Sequence, residues 1–368
     1  MRLNLINDEI YLDEPIGKQP KHWLISYDTK YLYKKATYKQ DGSPVYNDVS
    51  ECIAADIAEL IGVPSAEYYL CTKDGEKGVI TPDFLDNKIG EVKKEEFFDG
   101  VYLINQVDPG FKNTSLINPQ THQYYTVELI IQSVKEYGFI KEVLNMIIFD
   151  CLIANRDRNP SNYGIIVNHE NKKVRFAPVF DSCASLGASL VSHRLAKCYD
   201  KDGNIIDNNH LNLVVHKQFT GKVTLERHFQ YIEKAKWDKK ETQRILTKIE
   251  STRIDLQELL KQGKITVEDY HKTLTRVGNE YRKYDITSPN YQLIISYLTM
   301  FYAEEIYDIM NKIKENITEE NIDRIFAFYE GELPIDRANI SKEIVLRRGK
   351  WITDFYEKNK TKSEGKLL

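Results

Sequence analysis

Apolar and polar positions change period several times along the chain. "KHWLISYD" and "KYLYKKA" alternate and are separated near "DTK", which predicts a β-hairpin. In "ECIAADIAELIGV", Ile53, Ile57 and Ile61 recur at helical spacing, with Ala54, Ala58 and Leu60 beside them. Gly62 and Pro64 then supply a stop, so an amphipathic helix is expected there. "SAEYYLCT" and "GVITPDFL", on either side of "KDGEK", predict a second hairpin. The simplest picture for residues 1–90 is a small sheet with one long helix.

From about Tyr125 the period becomes helical. "TVELIIQSVKEYG" is followed by "IKEVLNMIIFDCLIANR", which is strongly apolar and predicts a central buried helix. "NYGIIVN" and "KVRFAPVFD" flank the turn residues "HENK" and predict a short hairpin beside that helix. "DNKIGEVKKEEFFDG" and "DPGFKNTSLINPQTHQ" are polar and turn-rich, and read as connections. "SCASLGASLVSHRL" is rich in small residues and reads as mobile, and "NIIDNNHLNLVVHKQFTGKV" reads as irregular or as a short strand. Beyond Val223 the pattern is mostly helical through about Phe328, with breaks near Gly263 and "ITSPN". The tail "EKNKTKSEGKLL" reads as a solvated, fraying end. The fold class expected is α+β, with the strands early and the helices late.

Composition changes this picture little. At 368 residues, 42% hydrophobic and 29% charged, the chain has the make-up of a soluble protein with a sizeable core. A net charge of −4 supplies no overall field that would favour nucleic acid. Five cysteines, an odd number with no CxxC, suit buried thiols in a reduced cytoplasmic protein. Acidic residues come too early in "MRLNLINDEIYLDEP" for a signal peptide, and no apolar run is long enough to span a membrane.

The chemistry concentrates in "NRDRNPSNYGIIVN", directly behind the apolar helix. Phosphoryl transfer requires a divalent metal, a cation for the polyanion and a carboxylate beside the acceptor hydroxyl. Asp157 and Asn162 lie close enough in one loop to face a single pocket, and Asp181 follows "RFAPVF" at a predicted strand end. Asp157 is the candidate to position the acceptor and take its proton, while Asn162 and Asp181 are candidates to hold Mg²⁺. Arg158 either touches the transferring group or braces the loop through a carboxylate. Upstream, strand alternation puts Lys34 on the inner face, where an ammonium needs a partner. Glu51, opening the next helix, is the candidate. Gly17 could let the backbone approach phosphate, with Lys18, Lys21 or His22 as further donors.

Over roughly residues 15–190 the chain resembles the HipA-like serine/threonine kinases and, more distantly, the phosphoinositide kinases. "NRDRNPSNYGI" is similar to that family's catalytic loop, N-x-D-R-H-x-x-N, with Asn159 in place of the usual His. "APVFDSCASL" resembles its metal segment, "IGKQPKHWLI" its glycine-containing loop, and "YLYKK" its nucleotide-lysine strand. "NDVSECIAADIAELIGVPSAEYYL" resembles its Glu-opened helix. The resemblance implies a bilobal protein-kinase-like fold, with a nucleotide-binding N-lobe at 1–90 and a mainly helical catalytic lobe at 91–368. It implies ATP and Mg²⁺ as cofactors, Asp157 as catalytic Asp, Asn162 and Asp181 as metal ligands, and Lys34 with Glu51 as the phosphate lysine and its partner. It also implies a protein substrate, autophosphorylation in some members, and an antitoxin or regulatory protein as partner of a toxin-type kinase. A nucleotide-binding pseudokinase and a kinase of small molecules or lipids are the competing expectations.

Overall fold

The computed structural model describes residues 2–5, 9–13, 21–26, 29–114, 116, 118–120, 125–190, 192–220, 255–266, 269–270, 273 and 291–364. Strands β1 (Leu3–Leu5), β2 (Glu9–Asp13), β3 (Lys21–Ser26), β4 (Thr29–Lys35), β5 (Tyr69–Lys73) and β6 (Glu76–Pro82) form one sheet in the order β1-β5-β6-β4-β3-β2. β1 runs parallel to β5 and the other pairs are antiparallel. The two hairpins anticipated from alternation are β3–β4 and β5–β6.

Helix α1 (Asn47–Leu60) packs on β5 and β6. Its Ile53, Ile57 and Ile61 stripe is fully buried. Its first turn is buried as well, although it reads Asn47, Asp48, Ser50 and Glu51. Burying four polar side chains at a helix start is costly unless each is engaged, and this marks the end of α1 that faces the site.

The second sheet is β7 (Glu95–Asp99), β8 (Gly164–Asn168) and β9 (Val174–Phe176), antiparallel throughout. β8 and β9 are the predicted short hairpin. β7 is a correction, a strand inside "DNKIGEVKKEEFFDG" where the pattern read as a polar connection, and it leads into α2 (Gly100–Val107), a stretch the sequence reading left unassigned. The charges Glu95 and Glu96 hid the strand, yet Glu95 is buried and meets Arg175 at 2.7 Å. Asp99 caps α2 by accepting from the Tyr102 N–H. Gly100 lies so close to the Tyr163 ring and the Pro160 carbonyl that no Cβ would fit.

Helix α3 (Val127–Lys135) starts at a Thr126 cap, and α4 (Ile140–Ile153) is buried on nearly every side. α5 (Ser192–Leu195) and α6 (Asn208–Thr220) follow, with a helical run at 255–261. The carboxyl-terminal helices are α7 (Tyr291–Phe301), α8 (Tyr307–Asn316), α9 (Glu319–Ala327) and α10 (Ile335–Glu364). α10 crosses α4, α6, α7, α8 and α9, so α4 and α10 are the axis of the helical region.

Three expectations in this region need correction. Residues 208–220 are helical: Leu211, Val214 and Val215 share a buried helical face, and the Asp207 carboxylate accepts from the His210 N–H. The small-residue segment after Asp181 is held in place. Leu186 N–H donates to the Ile153 carbonyl at 2.7 Å, its own carbonyl accepts from Ser341 Oγ at 2.9 Å, and Leu190 and Leu195 are buried. The backbone of "EKNKTKSEGKLL" continues α10 to Glu364. Much of the helical stretch expected beyond Val223 lies outside the described residues. All five cysteines are free thiols, and no helix among the described residues is long and apolar enough to cross a membrane.

Candidate active site

The loop behind α4 is shaped by a polar network that begins inside the helix. α4 ends where Ala154 turns left-handed, at φ 60°. Asn155 then folds back, its side-chain N–H donating to Asp150 Oδ1 at 2.8 Å. Asp150 is 1% exposed in an otherwise apolar helix. Its partner is Arg158, whose Nε and Nη2 each donate to one carboxylate oxygen at 2.8 Å. This bidentate pair suits a guanidinium and no other side chain. Arg158 Nη1 donates to the Asn162 and Phe180 carbonyls, at 2.7 Å each. One buried cation thus joins the loop to the residue immediately before Asp181.

Of the two roles left open for Arg158, this is the bracing one. At 3% exposure, all three of its nitrogens are engaged within the protein. Asn159 also works locally. Its side chain accepts from the Ser161 N–H at 3.0 Å and caps one turn of 3-10 helix at Pro160–Asn162. Asn162 donates its amide N–H to the Asp157 carbonyl at 3.1 Å. A carbonyl can only accept, so this bond fixes which amide atom is nitrogen and leaves Oδ1 as the donor atom for a metal. Asp157 is exposed at the loop surface, beside the buried Arg158.

The amino-terminal sheet delivers the cation. Lys34 is 3% exposed; its ammonium meets Glu51 at 2.7 Å and Asp181 at 3.0 Å. Lys34, Glu51 and Asp181 therefore come together from β4, α1 and the segment after β9. Lys21 stands opposite Lys34 in the β3–β4 register, on the same face. Across the neighbouring pair, His22 stacks on Tyr33, with ring centroids 6.4 Å apart. Gly17 and Lys18 lie outside the described residues.

The charges support one another. Burial works against the Lys34 ammonium, but Glu51 and then Asp181 outweigh it and hold Lys34 well above its ordinary pKa. Burial likewise opposes ionisation of Asp181, yet Lys34, Lys21 and Arg158 hold its carboxyl far below the usual carboxylate range. Asp181 is thus held as a carboxylate, an oxygen donor, at neutral pH. With the Asn162 amide oxygen it makes a hard, sparse donor set of the kind Mg²⁺ accepts while keeping water ligands. Two lysines from adjacent strands on one sheet face suit the phosphates of a nucleotide. The residues present fit a magnesium-bound nucleotide. Cys183 Sγ lies 3.5 Å from Asp181 Oδ1, and Glu51, Asp181 and Cys183 bring ligand atoms within 4.8 Å of one another. Burial, then Asp181, push the Cys183 thiol up, so it stays protonated and is a poor ligand for a hard cation.

Three features escaped the sequence reading. Asp150 had a signal, an acid within "IIFDCLI" that burial obliges to find a partner. Tyr68 had none: its hydroxyl accepts from the Asp181 backbone N–H at 3.1 Å, and its ring lies 5.7 Å from the Lys34 ammonium. Phe84, Phe97 and Phe180 form an aromatic trio, with centroids 5.6–5.8 Å apart, from the end of β6, from β7 and from the residue before Asp181.

No protein-family model matches the sequence, and no curated protein matches it. Solved structures do. HipA of the Shewanella oneidensis toxin–antitoxin system, in complex with HipB and its operator DNA, aligns at TM-score 0.44 and 12% identity over 95% of this chain and 67% of HipA. That score is too low to add to the case. CtkA, a proinflammatory kinase of Helicobacter pylori, aligns at TM-score 0.64 and 16% identity over 100% of this chain and 99% of CtkA. At that identity the likeness is one of fold, and the fold, with its β-rich amino-terminal region and helical carboxyl-terminal region, is the bilobal kinase-like one.

Proposed function

We propose that this protein transfers the γ-phosphoryl group of ATP to a Ser or Thr hydroxyl of a protein. One observation carries the reading: Lys34 contacts both Glu51 and Asp181, while Arg158 ties Asp181's segment to the Asn162 loop. These contacts bring Lys34, Glu51 and Asp181 together and tie the Asp181 segment to the Asn162 loop, which supports the reading. Asp157 orients the acceptor hydroxyl and takes its proton. Lys34, fixed by Glu51, binds the phosphates, with Lys21 as a second cation. Asn162 and Asp181 hold Mg²⁺, which when bound offsets the charge of the triphosphate. Gly17 and Lys18, outside the described residues, are assigned to phosphate contact on the motif resemblance, and the lobes divide near residue 90. Asn159, where the resembled pattern has His, caps the 3-10 turn, so the loop keeps its shape without the imidazole.

Purified protein incubated with labelled ATP and Mg²⁺, alone and with cell lysate, is expected to label Ser or Thr on itself or on a lysate protein. Asp157→Asn is expected to lose the transfer while still binding ATP. No transfer by the wild type, or equal transfer by Asp157→Asn, overturns the assignment. A toxin role with an antitoxin partner in the cytoplasm rests on the motif resemblance alone. Equal growth of cells expressing wild-type and Asp157→Ala protein would remove it.

A further inference from the structure

The segment between α1 and β5 does more than connect them. Pro64 to Ala66 run parallel to the chain entering Asp181: Val179 N–H donates to the Pro64 carbonyl at 2.8 Å, and Ala66 N–H donates to the Val179 carbonyl at 2.9 Å. This short ladder stops at Val179. Two residues later Asp181 adopts φ 56°, a left-handed conformation that side-chain-bearing residues seldom hold. Such a conformation persists only where the surroundings over-determine it. Its backbone N–H finds the Tyr68 hydroxyl, at 3.1 Å, which continues the ladder by a side chain. The same tyrosine places its ring 5.7 Å from the Lys34 ammonium.

We infer that Tyr68 is a positioning residue: its hydroxyl fixes the left-handed backbone at Asp181 while its ring lies against Lys34, so one side chain of the amino-terminal region sets the spacing between the phosphate lysine and the metal carboxylate. This rests on the kinase reading for its catalytic meaning, whereas the backbone restraint itself does not. The hydroxyl and the ring have separable tasks. Tyr68→Phe keeps the ring and removes the hydroxyl, and with it the restraint on Asp181 and the hydroxyl's hydrogen bond toward Glu51. Tyr68→Leu also removes the ring beside Lys34.

Phosphotransfer is measured against Mg²⁺ at fixed ATP, with nucleotide binding measured in Mg²⁺-free buffer. Tyr68→Phe is expected to raise the half-saturating Mg²⁺ about threefold to tenfold, the worth of one buried hydrogen bond. Its metal-free nucleotide affinity stays at the wild-type value. Tyr68→Leu weakens both. A third arm, amide hydrogen exchange in nucleotide-free protein, is expected to show faster exchange around Asp181 in Tyr68→Phe. Unchanged Mg²⁺ dependence in an active protein overturns the inference. So does a loss of activity that merely tracks the folded fraction in a thermal melt. A wild type that neither binds ATP nor transfers phosphate overturns the kinase reading instead, and the exchange arm still decides whether Tyr68 restrains Asp181.

Discussion

Replacing Arg158 by Met separates what the guanidinium does for stability from what it does for the site. Arg158 and Asp150 are 3% and 1% exposed. Removing the cation leaves a buried carboxylate with only the Asn155 amide, at 2.8 Å, to compensate it. Breaking such a pair from one side costs about 3–5 kcal/mol. In a chain of this size that lowers the melting temperature by roughly 5–10 °C. The double variant Asp150→Leu with Arg158→Met removes the orphaned charge as well. What remains is the unpaired Asn155 amide and two carbonyls without their donor, so the deficit shrinks to about 1–3 kcal/mol. Activity follows a different course, because the bonds from Nη1 to the Asn162 and Phe180 carbonyls are missing in both variants. Loss of ångström-scale placement costs about 100-fold or more in rate. Thermal melts and phosphotransfer on the three proteins make the comparison. Stability regained without activity is expected. A double variant that regains activity to within a few-fold, or a single variant that melts like the wild type, would refute the idea that one guanidinium joins the Asn162 loop to the Asp181 segment.

Lys34→Met leaves Glu51 without its ammonium, so its carboxyl, which burial already holds above its ordinary value, rises further. The same change takes from Asp181 the first of the charges that hold its carboxyl low. The raised Glu51 carboxyl destabilises the fold increasingly as pH rises above about 4, so unfolding at pH 8 should show a larger deficit than at pH 5, and a pH-independent deficit would contradict the pairing. In the wild type the sign is opposite for Asp181. Its depressed carboxyl contributes stability that is fully present above the unfolded value, near ~3.9, and is lost as pH falls from there toward the lower folded value. Carboxyl-carbon NMR is expected to find it still ionised at about pH 3; protonation nearer pH 4 would show that Lys34 and Lys21 do not hold it.

What the sequence disclosed and what it hid follow from the range of the interactions involved. The hairpins β3–β4 and β5–β6 and the helices α1 and α4 rest on local periodicity, which short windows capture. The Lys34–Glu51 pair was legible because an inward-facing lysine requires a carboxylate, and a polar helix start lay close behind it. β7 was obscured because the glutamates that read as solvated include Glu95, which is buried against Arg175 from β9. α6 was obscured because Val214 and Val215 have β-branched side chains, and it is packing against α7 and α10 that decides the matter. Tyr68 could not be found at all. Its role depends on a backbone N–H contributed by a residue far along the chain, and no spacing rule reports such a contact.

The position of Glu51 depends on more than the sheet beneath α1. Asp56, one turn and a half further along, accepts from the Tyr329 hydroxyl beyond α9 at 2.6 Å. Asp48, before it, meets Arg2 at 2.8 Å, and Arg2 also reaches Glu332 at 2.9 Å. These partners span both the amino terminus and the carboxyl-terminal helices. α1 is thereby held from the sheet side and the helical side at once, with its Ile53, Ile57 and Ile61 stripe buried between. The Lys34–Glu51 contact therefore sits on a helix that is anchored from two sides. Lys34 also rests against Asp181, and its ammonium favours the ionised carboxylate there. The arrangement of Lys34, Glu51 and Asp181 is set by the protein's own charges.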